Sequence, residues 1–180
     1  MKVAYQGQPG AFAHQACLQF LPDLEPVPKP AFEDVIQAVA AGETDLGVLP
    51  VENSCAGPVE EVQALLARTD LPVVAMHPLP VRMHLLAPPA TRIEDVRRVI
   101  SHPIALLQCA DTMREMGLDV EPASNTAAAA KAIAQSGDGS TAVLASEAAA
   151  ELYGLTILRR NVHDRPDNAT TFCVLARQVS

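Results

Sequence analysis

The sequence predicts an α/β protein built as two lobes. Three observations carry that expectation. Short apolar runs alternate with Ala-rich helical stretches, which argues for parallel α/β sheets. Two proline-rich stretches, His77-Pro78-Leu79-Pro80 and the loop over 161–167, interrupt the alternation and suit crossings between lobes. The last apolar segment, Phe172-Cys173-Val174-Leu175-Ala176, reads as a buried strand returning to the first lobe. The expected boundaries are therefore 1–76 with 167–180 for the first lobe and 77–166 for the second, with a ligand cleft between them.

The elements follow in order. Residues 2–5 read as a strand and 11–20 as a helix. The stretch 22–30 carries four prolines and reads as a surface connection. A helix over 32–41 closes at Gly42, and 46–51 is a strand. A helix over 59–68 precedes a strand near 72–76, then a strand-like run over 81–87 and a short helix near 93–97. Val99-Ile100 leads through Ser101-His102-Pro103 into a helix at about 104–116. Residues 126–136 are helical, Gly137-Asp138-Gly139-Ser140 is a turn, and 141–144 is a strand. A helix over 147–153 stops at Gly154, and strands follow near 157–158 and 172–176.

Composition narrows the function. At 180 residues and 49% apolar content, the chain can bury a real core and is not disordered. Aromatics are only 3%, Trp is absent and the formal charge is −8, all of which argue against nucleic acid. An acidic protein can still hold an anionic metabolite, through local donors such as helix N-termini. Cys17, Cys55, Cys109 and Cys173 stand alone, without C-x-x-C or metal-ligand spacing to His, so small buried thiols and no metal are expected. The N-terminus begins a strand rather than a signal peptide, and no apolar run reaches membrane-spanning length. A soluble cytoplasmic protein is the expectation.

Five polar constellations stand at element ends. Gly7-Gln8-Pro9-Gly10-Ala11-Phe12 lies between a strand and a helix, where glycines permit close backbone approach and the helix start favours an anion. An ordinary βα turn fits equally, and the dinucleotide G-x-G-x-x-G spacing is absent. Glu52, Asn53 and Ser54 follow a strand at the edge where open α/β sheets bind ligands, although Asn53 and Ser54 also suit a simple turn. In Ser101-His102-Pro103, Ser101 suits an N-cap and Pro103 a first helical turn. His102 is not needed for capping, which leaves binding, proton transfer or a plain structural role. In Ser124-Asn125-Thr126, either Ser124 or Thr126 suits an N-cap, and a helix start that faces a cleft suits a carboxylate. His14, His77, His84 and His163 are isolated and suit solvated or packing roles.

The fifth constellation is the most informative. Asp164-Arg165-Pro166-Asp167-Asn168-Ala169-Thr170-Thr171-Phe172 places a carboxylate, an amide and two hydroxyls on a loop at the mouth of the last strand. Ligand binding explains such a concentration better than packing does. No Ser-His-Asp order, metal cluster or P-loop accompanies it, so the inventory suits a small carboxylate metabolite and chemistry that needs one proton donor.

Five segments in order carry a resemblance: Tyr5-Gln6-Gly7-Gln8-Pro9-Gly10-Ala11-Phe12, Gly47-Val48-Leu49-Pro50-Val51-Glu52-Asn53-Ser54, Ser101-His102-Pro103-Ile104-Ala105-Leu106-Leu107-Gln108-Cys109, Tyr153-Gly154-Leu155 and Asn168-Ala169-Thr170-Thr171-Phe172. Over nearly its whole length the chain resembles the catalytic domain of prephenate dehydratase. The resemblance implies two α/β lobes of periplasmic-binding-protein type II-like architecture, with the active site in the interlobe cleft. It implies that prephenate loses water and carbon dioxide to give phenylpyruvate, on the way to phenylalanine, without a cofactor. Thr170 matches the family's threonine that polarises the leaving hydroxyl. Asn53 and Ser54 join it as catalytic candidates, with Glu52 as an orienting group. Gly10, Ala11, Phe12, Ser101, His102, Ser124, Asn125, Thr126, Asn168, Thr171 and Phe172 are the implied substrate-binding residues.

Two positions depart from the family. Thr171 stands where the family has arginine, and a hydroxyl cannot replace a bidentate guanidinium. Arg82 or Arg165 are candidates to compensate. Ala13 stands where a serine often follows the aromatic of the first motif. The sequence given ends at Ser180, so feedback control through the family's usual regulatory ACT domain is not expected within it. The family tends to dimerise, so a homodimer is expected. The alternatives are arogenate dehydratase, a non-aromatising prephenate decarboxylase and a non-catalytic prephenate-binding protein.

Overall fold

The computed structural model describes residues 1–178. In chain order the elements are β1 (Lys2–Gln6), α1 (Phe12–Phe20), β2 (Glu25–Lys29), α2 (Phe32–Ala40), β3 (Leu46–Asn53), β4 (Gly57–Pro58), α3 (Glu60–Leu66) and β5 (Val73–Pro80). Then come β6 (His84–Ala87), a 3-10 turn (Ile93–Asp95), β7 (Arg98–Ser101), α4 (Pro103–Gln108), α5 (Ala110–Glu115) and β8 (Asp119–Pro122). The chain finishes with α6 (Thr126–Ser136), β9 (Thr141–Ala145), α7 (Glu147–Tyr153), β10 (Thr156–Arg159) and β11 (Ala169–Ala176).

Two compact units result. Unit 1 holds residues 1–8, 12–81 and 167–178, and unit 2 holds 9–11 and 82–166. The expected boundary after residue 76 falls inside β5, which pairs with β11 through Pro80. The His77–Pro80 stretch is therefore strand rather than a crossing. Residues 9–11 join the second unit instead of the first, for reasons that belong to the site.

Unit 1 is a mixed sheet in the order β2-β1-β3-β11-β5, with β4 on β3. The three strands β2, β1 and β3 are parallel, and β11 runs antiparallel to both its neighbours. One face packs Val3, Tyr5, Val48, Leu79, Phe172 and Val174 against α1, through Ala16 and Cys17. The other packs Ala4, Leu49, Val51, Cys173 and Leu175 against α2 and α3. Gly47 makes the second contact possible, because a Cβ there would come within 2.9 Å of Val35 and Val39 on α2. His14 stacks on Tyr5 and His77 on Phe20, both packing roles.

Unit 2 is a second mixed sheet, β10-β6-β9-β7-β8, with β6 antiparallel to β9 and β10. Its core joins Leu86, Val143 and Ala145 to Ala129, Ala130 and Ile133 of α6 and Ala149 and Ala150 of α7. Alanines let these helices lie close on the sheet.

Four differences from the sequence reading have physical causes. Both sheets are mixed rather than purely parallel, because one strand in each, β11 in unit 1 and β6 in unit 2, runs antiparallel to both its neighbours. The proline-rich 22–30 contains the edge strand β2. Glu25 N donates to Met1 O (3.0 Å) and Lys29 O accepts from Gly7 N (3.0 Å), so Pro26 and Pro28, alternating with them, turn their missing N–H toward the open edge. β8, unanticipated, is an exposed edge strand with no apolar alternation to reveal it. The helix expected over 104–116 breaks at Cys109 into α4 and α5. Asp164 makes the break tolerable by accepting from Asp111 N (3.1 Å), Thr112 N (3.1 Å) and Thr112 Oγ1 (3.0 Å).

Candidate active site

In unit 1 the mouth of β11 is strand, not loop. Thr170 lies directly across from Asn53, and Thr171 across from Glu52. Opposite Phe172 is Pro50, so Val51 is the extra residue of a β-bulge. The Val51 carbonyl is taken up by Val59 N and Gln63 Nε2, both at 3.0 Å. The bulge fixes which side chains at the end of β3 share a face with those of β11.

Asn53 is the centre. Its Nδ2 donates to Asn168 Oδ1 (2.9 Å) and Thr170 Oγ1 (3.0 Å). Its Oδ1 accepts from Cys55 N (2.8 Å) and Ala56 N (2.9 Å). All four hydrogen-bonding positions of the amide are filled. One consequence concerns Thr170. An amide N–H can only donate, so Thr170 Oγ1 accepts, and its own O–H has no partner among the described residues. Beside it, Asn168 is buried and its Nδ2 also lacks a partner among the described residues. A buried donor left unpaired costs about 1–3 kcal/mol. The half-buried hydroxyl and this amide are thus two donors without acceptors, next to one another on a rigid frame.

Ser54 serves that frame. Its Oγ donates to Asp167 O (2.9 Å) and accepts from Ala169 N (2.9 Å), while its own N–H reaches Ala169 O (2.9 Å). The hydroxyl proton is engaged, and the chain entering β11 is clamped to the end of β3. Glu52 is exposed and, by strand alternation, lies with Thr171 on the face opposite Asn53 and Thr170. Phe172 is 2% exposed in the core, and Phe12 packs against the same cluster.

In unit 2 the polar residues at helix starts are mostly engaged locally. His102, not Ser101, is the N-cap of α4, its Nδ1 accepting from Ile104 N (3.1 Å). The neutral ring therefore carries its proton on Nε2. Ser101 is fully buried, and its Oγ donates to Leu144 O (2.8 Å). The Thr126 hydroxyl, 3.1 Å away, must then be the donor to Ser101. Asn125, rather than Ser124 or Thr126, caps α6 by accepting from Ala128 N. Ser124 is exposed.

The loop over 9–11 belongs to unit 2 because α7 holds it. Ser146 Oγ donates to Gly10 O (2.8 Å) while accepting from Ala149 N (3.1 Å), and Tyr153 O–H donates to Pro9 O (2.5 Å). Gly10 sits at φ +93°, and a Cβ there would be 3.2 Å from Ala149. Ser146 and Tyr153 were not legible as partners of this loop. Ser146 looks like a local cap, and its second bond spans 136 residues.

Burial pushes the thiols of Cys17 and Cys109 up to about 12 and raises that of Cys173. The serines 54, 101 and 146 all donate to backbone carbonyls. None of these six groups is an activated nucleophile. Among the described residues no helix is long and apolar enough to cross a membrane.

This geometry has counterparts. The family model for prephenate dehydratase matches residues 3–180. The chain belongs to the prephenate dehydratase family. It is 43% identical over 178 residues to arogenate dehydratase/prephenate dehydratase 2 of Arabidopsis thaliana, covering 99% of this chain and 47% of that protein. Among solved structures, a protein described as a novel type of quorum-quenching acylase, GqqA, is 38% identical with a TM-score of 0.92, over 100% of this chain and 65% of that one. Prephenate dehydratase from Arthrobacter aurescens, solved in complex with L-Phe, is 26% identical with a TM-score of 0.91, over 100% of this chain and 61% of that one. The fold is the periplasmic-binding-protein-like α/β fold of that family. The chain spans about half the length of the curated relatives it matches.

Proposed function

We propose that the protein is a prephenate dehydratase, converting prephenate to phenylpyruvate with loss of water and carbon dioxide. The observation that carries this is the Thr170 O–H, which has no acceptor among the described residues while Asn53 Nδ2 donates to its oxygen. In the reaction the bond to the ring carboxylate breaks and its electron pair enters the ring. The ring's C–OH bond breaks in turn, and the departing oxygen takes up a proton to leave as water. Aromatisation supplies the driving force, so the enzyme's task is to hold the carboxylates and stabilise the departing oxygen. Thr170 donates to that oxygen, and Asn53 Nδ2 stabilises the threonine oxygen as charge develops. Asn168 Nδ2 is a further donor to the substrate. In unit 2, His102, whose Nδ1 alone is used in capping, and the exposed Ser124 remain candidates for a substrate carboxylate. Gly10 and Ala11, whose loop α7 fixes, remain substrate-binding candidates by position. Glu52 and Thr171 act on the opposite strand face, as orienting groups. The accompanying expectations are no cofactor, a homodimer and a cytoplasmic location, the second readable by light scattering.

Arogenate, which carries an amino group where prephenate carries a keto group, is the second reading, favoured by relatives named arogenate dehydratases. An acylase reading gains no support from Ser54, Ser101 and Ser146, which donate to carbonyls, or from the thiols of Cys17, Cys109 and Cys173, held high by burial.

The test is incubation with prephenate and with arogenate, followed by product identification. Phenylpyruvate from prephenate supports the first reading, and phenylalanine from arogenate alone supports the second. Thr170→Val should lower kcat by about 10²–10³-fold, the usual loss for one donor at a developing anion. Thr170→Ser should retain most activity. Full turnover by a folded Thr170→Val protein would overturn the assignment.

A further inference from the structure

The segment joining β10 to β11 is bound to unit 2 at consecutive positions, by an unusual set of acceptors. Asn161 N donates to His84 Nδ1 (2.9 Å), and Val162 N donates to Met83 O (2.9 Å). His163 returns the contact, its Nδ1 accepting from Met83 N (3.3 Å). Asp164 N donates to Gln108 O (2.8 Å), and its carboxylate caps α5 through three bonds. Asn161 is held at φ +53°, a left-handed conformation that side chains other than glycine's adopt rarely.

Two of the acceptors are imidazole nitrogens, which accept only while they carry no proton. A protonated imidazole presents N–H at both nitrogens and would face the Asn161 or Met83 amide donor to donor. The strand start Met83-His84 and the strap 161–163 are thus stapled to each other by two imidazoles, one contributed from each side.

We propose that residues 161–164 form a proton-releasable strap, held on unit 2 by the Nδ1 atoms of His84 and His163 and by the Asp164 carboxylate, and loosened when the imidazoles are protonated. The inference is independent of the reaction assigned above.

The charged and titratable groups around His84 are Arg160, Glu147, His163 and Arg82. Glu147 also pairs with Arg160 at 3.0 Å. His163 has His84 beside it, with Asp164 next in the chain. Burial, followed by Arg160, holds the His84 imidazole below its ordinary value, with His163 and Arg82 adding to the effect and Glu147 opposing it. The sign follows: the unfolded ring takes up a proton first. The stabilising contribution of neutral His84 is complete above the ordinary imidazole range and is lost as pH falls through that range toward the lower folded value.

The experiment is backbone amide exchange in the full chain from pH 8 to pH 5, corrected for the intrinsic pH dependence of exchange. Protection of the Asn161 and Met83 amides should fall about tenfold on acidification, the loss expected from one hydrogen bond. The amides of Ala142 and Val143 in the sheet should hold. In a variant carrying both His84→Asn and His163→Asn, where Oδ1 stands in for each Nδ1 and does not titrate, protection of the Asn161 and Met83 amides should become independent of pH. If that variant does not fold, imidazole nitrogen shifts in the parent protein decide instead. Unprotonated Nδ1 atoms on both rings at pH 8 support the strap. Protonated Nδ1 atoms, or Asn161 protection that is flat with pH in the parent protein or pH-dependent in the variant, would overturn it.

Discussion

Unit 1 and unit 2 carry similar polar residues at similar places and use them differently. At the end of β3, Asn53 fills all four of its hydrogen-bonding positions, while Thr170 O–H and Asn168 Nδ2 have no partners among the described residues. At the helix starts of unit 2, Ser101, Thr126 and Asn125 are engaged with backbone or with one another. Residue type does not separate a reactive constellation from a structural one. What separates them is which donors remain after every local acceptor has been served.

The strongest way to break this contrast is to remove the two asparagines in turn. Asn53→Ala strips acceptors from Cys55 N and Ala56 N and a donor from Asn168 and Thr170. The expected loss is about 3 kcal/mol, several lost bonds partly repaid by water, with turnover in the prephenate assay falling below about 1% of the parent protein's. Asn125→Ala removes one cap, so about 1 kcal/mol of stability and a change in kcat of less than about threefold are expected. Denaturant unfolding and steady-state kinetics on both variants read the difference. Equal losses of turnover would place Asn125 in the chemistry and erase the distinction.

A second comparison concerns the loop over 9–11, whose sequence neighbours lie in unit 1 while α7 of unit 2 holds it. Gly10→Ala meets two obstacles there, φ +93° and Ala149 at 3.2 Å. Destabilisation of about 1–2 kcal/mol is expected. Gly137→Ala also has a positive φ but open space around it, and should cost less. Thermal unfolding of the pair checks this. An equal cost would mean that backbone strain alone, and not the fit against α7, fixes glycine at this position.

The α/β alternation, the helices at 126–136 and 147–153 and the cluster around Asn53 and Thr170 were legible because each leaves a local signal: apolar period, cap residue or grouped polar side chains. What was not legible depends on distant partners. His102 caps α4 with Nδ1, a role that sequence assigns more readily to the adjacent Ser101. Helix 104–116 breaks because a carboxylate some fifty residues on, Asp164, serves the second half. β2 survives Pro26 and Pro28 only because it is an edge strand, which depends on sheet order rather than on its own residues. The bulge at Val51, which decides the faces of the site, leaves no mark in composition at all.

The smallest expected effect tests the departure at Thr171. Loss of the family's arginine suggests a weakened grip on a substrate carboxylate. The strand geometry argues otherwise for this chain. Thr170 shares a face with Leu79 and Phe172, whereas Thr171 lies on the other face, across from exposed Glu52. Thr171→Arg would therefore set a guanidinium opposite a carboxylate, a cross-strand pair worth about 0.2–1 kcal/mol. We expect a stability gain of that size, reduced by salt, and kcat within about twofold of the parent protein. A rise in kcat/KM of tenfold or more, with KM carrying the change, would show that a side chain at this position reaches the substrate. Thr171 would then move from the frame of the site into its binding surface.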